Sequence, residues 1–266
     1  MTTTTTITSA ATSPYVVTPA RVLRSEWHKF WSVRSSWITL ATSAVLIVGL
    51  GLIVAATYES GSREHVDPVQ LGLTGIQLAA ITLPVLGVLV TAGEYTTGMI
   101  RSSLTAVPRR VPVLWAKAAV LAATVFPVTF SACLLAYPLA QTLLSGTDQE
   151  TALTAPGVLA AVAGSSAGVT ALSVFALGLG ALLRSVAGGI GAFVGGVMIL
   201  PEVVSMIPVD AVDTAVEYFP AQAAGNVSAL DALPGFPSPA ASLLALCLWA
   251  VASVALAGVL LQRRDV

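Results

Sequence analysis

Six long apolar runs constrain this chain more than any other feature. A helix needs about 20 apolar residues to cross a hydrocarbon layer roughly 30 Å thick at a rise of about 1.5 Å per residue. The hydropathy pattern predicts such spans at 37–57, 71–92, 118–143, 156–183, 186–207 and 240–261. Only 9% of the residues are charged, against roughly a quarter in soluble domains, so a water-facing surface cannot be built around these runs. The expected fold is all-α: a polytopic membrane protein of six transmembrane helices.

Orientation follows from the basic residues, because loops rich in Lys and Arg resist translocation. Eleven of the 12 fall on one side: Arg21, Arg24, Lys29 and Arg34; Arg101, Arg109, Arg110 and Lys117; Arg184; Arg263 and Arg264. Arg63 alone lies opposite, where 10 of the 13 acidic residues also collect. This alternation requires an even number of spans and puts both termini in the cytoplasm. A net charge of -1 and the lack of a basic, aromatic-interleaved block argue against a nucleic-acid partner.

Outside the spans, residues 1–18 read as a disordered Thr-rich tail. Thr18 and Pro19 are a cap and a first-turn proline for an interfacial helix over 19–36. Its Leu23, Trp27, Phe30 and Trp31 form an apolar stripe for headgroup depth, with Arg24 and its basic neighbours toward lipid phosphate. The remaining 37–266 form the membrane domain. Within it, the cytoplasmic segment 93–112 is expected to form a helix, a break at Pro108 and a return, presenting Glu94, Thr96, Thr97, Gly98 and Arg101 as a docking surface. The outer segment 201–239 is acidic and proline-punctuated, suited to short helices lying against the spans. Gly164 and Gly168, and Gly191 and Gly195, have the spacing that lets helix backbones approach, and packing within the chain is the expected use.

Several chemistries are excluded. The two histidines, His28 and His65, fall on opposite sides of the membrane, so the AGSSAG run at 163–168 has no base for a nucleophilic serine, and no catalytic residue is assigned. The two cysteines lie in apolar runs and the outer carboxylates lack ligand spacing, so neither a metal site nor a cofactor is expected. No ionisable residue lies at mid-depth in the predicted spans, with Lys117 and Glu202 at span ends, which disfavours an ion-coupled transporter. The only lysines are in WHKFW and LWAKAA, so the chain lacks a Walker A loop. Any energy from ATP must arrive through another polypeptide.

The segments RVLRSEWHKFWSVRSSWITL, EYTTGMIRSSLTAVPRRVPVLWAKAAV, LGALLRSVAGGIGAFVGGVMILP and EYFPAQAAGNVSAL together resemble the type-2 ATP-binding-cassette (ABC) transporter permeases of actinobacteria. The resemblance runs from about Arg21 to the C-terminus. It implies a non-enzymatic permease subunit of an exporter in the bacterial cell membrane, partnered by a separate ABC ATP-binding subunit and by a second permease copy or a sister permease. It also implies an elbow helix over 19–35 and, after the second span, a coupling helix that meets the ATPase. That helix would begin at Glu94 and include Tyr95, Thr96, Thr97, Gly98 and Arg101. A different class of protein fits the same loops: a non-transporting scaffold or immunity protein that binds partners through its cytoplasmic face.

Overall fold

The structure is a computed structural model that describes residues 18–59, 67–99, 110–206, 210–229 and 236–263. Among these every regular element is helical. In chain order they are α1 (Pro19–Ser32), α2 (Arg34–Ala56), α3 (Pro68–Gly72), α4 (Ile76–Thr96), α5 (Arg110–Leu143), α6 (Val158–Leu183), α7 (Val186–Val204), α8 (Asp210–Glu217), α9 (Pro220–Asn226) and α10 (Pro239–Arg263). Six of them, α2, α4, α5, α6, α7 and α10, are long and apolar enough to span a bilayer. The chain is a multi-pass membrane protein.

The second and third spans differ from their sequence-predicted bounds for identifiable reasons. Leu71 and Gly72 belong to α3, which Asp67 caps by accepting from the Val69 and Gln70 amides at 2.8 and 3.4 Å. The following turn is pinned beneath α2, where a side chain at Gly51 would meet the Gly72 carbonyl at 2.6 Å. Span α4 therefore starts only at Ile76, and it runs on to Thr96. Helix α5 begins eight residues earlier than the apolar run. Its 34 residues extend over about 50 Å, well beyond the hydrocarbon thickness. Lys117 is thereby an interior residue of a helix and not the end of one.

Helix α6 is the hub. Of its membrane window 67% is buried within the chain, against 22% for α7. Its sequence, rich in Gly, Ala and Ser, lets neighbours approach to backbone distance. A side chain added at Gly87 of α4 would collide with the Ser173 carbonyl, and one at Gly180 would meet Thr91 Oγ1 at 2.6 Å. Thr91 itself donates across the interface to the Leu177 carbonyl at 2.9 Å. Small residues thus replace large ones where dispersion and hydrogen bonding, not water exclusion, hold helices together.

The glycine pairs behave differently from each other. A side chain added at Gly164 would meet Val227 at 2.8 Å, and one at Gly168 would meet the Ala224 carbonyl at 3.7 Å, so that pair seats the α9 region on α6. A side chain begun at Gly191 or Gly195 would meet no described residue within 4 Å, which corrects the expectation of packing within the chain. They lie on the least buried span, in and beside a π-helical stretch over Ala192–Ile199. At the acidic end, Tyr58 donates to Asp148 at 2.9 Å and Trp249 to the Tyr218 carbonyl at 3.0 Å, tying loops and short helices across the bundle.

Candidate functional site

Helix α1 starts as its sequence requires, with Thr18 accepting from the Arg21 amide at 3.4 Å and Pro19 in the first turn. The face it turns to the protein takes one member of the expected aromatic stripe, Phe30, which is buried against the chain instead of lying at headgroup depth. Val22, Glu26 and Phe30, spaced by four, are buried, and Val22 packs on Val113 and Ala116 of α5. Leu23, Trp27 and Trp31 remain exposed, as does Arg24. Trp31 makes an edge contact with Phe30 at 5.8 Å and a tilted one with Trp27 at 6.0 Å, so the exposed aromatics form one contiguous surface suited to headgroup depth.

Packing α1 on α5 brings four charges together. Lys117 Nζ donates to Glu26 Oε2 and to Glu94 Oε1, each at 2.7 Å. Lys29 also pairs with Glu94 Oε1 and lies 3.8 Å from Glu26. Glu26, Glu94 and Lys117 are 7%, 6% and 4% exposed, so these pairs are shielded from solvent and each charge depends on its partners. The cluster is electrically balanced, two carboxylates against two ammoniums. It joins three elements: α1, the end of α4 and the first third of α5. A cation contact lies beside it, with the Arg184 guanidinium 5.4 Å from the ring centre of Tyr95. Arg184 occupies a left-handed backbone conformation, φ 53°, that closes the turn between α6 and α7.

Of the residues assigned to a docking surface, Glu94, Tyr95 and Thr96 are the last turn of α4 and not the start of a new helix, and the chain breaks at Thr97 and Gly98 (φ 71°). Glu94 is turned inward to the lysines, which removes it from any exposed surface. Tyr95 is half-buried under Arg184, while Thr96, Thr97 and Gly98 are exposed. Arg101 and the Thr-rich tail to residue 17 lie outside the described residues. The cluster's other members, Glu26, Lys29 and Lys117, were not singled out by sequence reasoning.

A cavity of about 280 Å³ adjoins the cluster, walled by α1, the start of α2, α4 and α5. A second, of about 550 Å³, opens near the acidic end between α4, α6, α7 and α9. Gln70, Gln77, Ser165, Gln222 and Asn226 line it, together with Glu202, which accepts from Gln222 at 2.6 Å. The hydroxyls of Thr129 and Thr170 are spent on carbonyls of their own helices, and that of Thr82 is shared with Ser43 at 2.7 Å. Of Gln77, Thr82, Thr129 and Thr170, Gln77 alone lines this cavity. Ser165 and Ser166 likewise bond back to Ala161 and Val162, as packing residues do. Compared with models of known families and with curated proteins, the chain matches neither.

Proposed function

We propose that this chain is the permease subunit of a type-2 ATP-binding-cassette exporter in a bacterial cell membrane, driven by a separate ATPase and paired with a second permease. The observation that carries the reading is the ion cluster directly behind the exposed turn Thr96–Gly98. A load applied at that turn is passed to α4 by covalent continuity, to α1 and α5 through Glu94 and Lys117, and to the α6–α7 turn through Tyr95 and Arg184. A stiff, shielded junction of this kind suits a part that must move several spans as rigid bodies. The polar cavity near the acidic end would then belong to the outward portion of the path. The open Gly191 and Gly195 face offers a surface where another permease can approach closely.

Co-expression with a candidate ATP-binding-cassette subunit tests the reading. The tagged chain should capture that subunit and, in proteoliposomes, stimulate its ATP hydrolysis. Thr97→Trp, on the exposed turn, should reduce capture or stimulation at least about tenfold while leaving the melting temperature of the isolated chain unchanged. Capture without any stimulation would favour a binding scaffold. Neither capture nor stimulation would overturn the proposal.

A further inference from the structure

The cavity beside the ion cluster has walls of two kinds. Phe30, Leu86, Leu89, Val90 and Val120 make it largely apolar, while Glu26, Lys29, Glu94 and Lys117 supply one polar side. Within that polar side one valence is unfilled. Glu94 Oε1 receives both lysines, whereas Glu94 Oε2 is buried and has no hydrogen-bond partner among the described residues. A buried carboxylate oxygen without a donor is costly, and an N–H or O–H placed there would be strongly held. Across the cavity stands the N-terminus of the 23-residue α2, whose cap position is Val33 and carries no side-chain cap bond. Ser35 and Ser36 of that first turn are part of the wall. The Ser36 amide already donates to the Val33 carbonyl at 3.1 Å, so it is the helix dipole there that favours an anionic group.

An occupant must therefore bring an anion for the α2 terminus, a hydrogen-bond donor for Glu94 Oε2, and an apolar continuation along Leu86, Leu89 and Val90. It should also be neutral overall, since the cluster is already balanced. We propose that this cavity binds a phospholipid with a primary-ammonium headgroup, such as phosphatidylethanolamine, from the leaflet beside α1. Its phosphate faces the start of α2 and its ammonium donates to Glu94 Oε2. The volume, at the lower end for small-molecule sites, accommodates a headgroup and the first chain carbons, with the tails left in the bilayer past the exposed Val33. The exposed Trp27 and Trp31 hold α1 at the depth where such a headgroup lies. The site does not depend on transport.

Native mass spectrometry of the full chain in detergent, titrated with phosphatidylethanolamine, phosphatidylcholine and phosphatidylglycerol of identical chains, provides the test. Phosphatidylcholine shares the phosphate and net charge but has no N–H, so phosphatidylethanolamine should bind at least about tenfold more tightly. Glu94→Gln should abolish that preference. Leu89→Trp, which fills the apolar wall without touching a charge, should weaken phosphatidylethanolamine binding by a similar factor. Equal binding of the ethanolamine and choline lipids, or a preference for the anionic glycerol lipid, overturns the assignment of the headgroup. Unchanged binding in a folded Leu89→Trp chain overturns the cavity as the site. Where either variant does not fold, the headgroup comparison on the unsubstituted chain decides.

Discussion

Lys117 holds two carboxylates at once, and its neighbours define how much that is worth. Removing it leaves Glu26 and Glu94 buried beside a single remaining ammonium, and loss of one partner from a buried ion group costs on the order of 3–5 kcal/mol. Lys117→Met should therefore lower the unfolding temperature in detergent strongly. Lys29→Met should do so less, because that side chain is 23% exposed and water compensates part of the loss. Equal effects would contradict the shielded geometry. Lys117→Arg is not conservative here: a compact ammonium is replaced by a planar fork too large to sit between two carboxylates. Arg184 offers a second comparison. Its left-handed backbone costs roughly 1 kcal/mol that glycine avoids, while its contact with Tyr95 contributes about the same. Arg184→Gly should be near neutral in thermal unfolding and Arg184→Ala distinctly worse. A reversed order would mean that the turn conformation is not what limits this position.

At the scale of elements, small residues decide which helices can touch. Gly87→Leu puts a branched side chain where the Ser173 carbonyl already lies, so α4 and α6 must separate, at a cost of about 3 kcal/mol or more. Gly191→Leu starts from an exposed position where an added Cβ meets no described residue within 4 Å and should leave the isolated chain as stable as before. If α7 is a contact face between copies of this chain, the same change should reduce self-association in nanodiscs or crosslinking between copies. Unaltered association would assign that contact to another span. Such distinctions are hard to read in the sequence, since GxxxG has the same spelling on α6, where it is covered, and on α7, where it is open. Span existence, by contrast, is written directly in apolar length. The largest boundary shifts came where a polar cap intervened, at Asp67, or where a helix ran beyond its apolar run, at Thr96 and Arg110.

For the whole molecule, the charge distribution makes the topology testable. A single cysteine at Ser145, after the third span, should react with a membrane-impermeant thiol reagent applied outside, and one at Ser32 only after permeabilisation. The opposite pattern would invert the assigned orientation. The same charge ledger held an unread sign of the ion cluster. Of 13 acidic residues, Glu26 and Glu94, with the terminal Asp265, are the three that stand on the basic side. Each of the chain's two lysines is in the cluster, while arginine supplies every other basic position. Acids that break a one-sided pattern, and a cation type kept apart from the rest, mark residues with a specific internal use. What sequence alone withholds is the pairing, because Glu26 and Lys117 are 91 positions apart and only the packing of α1 against α5 makes them neighbours.

That separation also orders events during synthesis. Glu26 emerges from the ribosome long before Lys117, and at about 5–20 residues per second the interval is on the order of ten seconds. Throughout it, α1 has no buried counter-charge to receive it and stays at the aqueous rim of the bilayer, its carboxylate hydrated. Only once the start of the third span is in place can the elbow lock down. The first helix made thus cannot reach its final seat before the third span has begun.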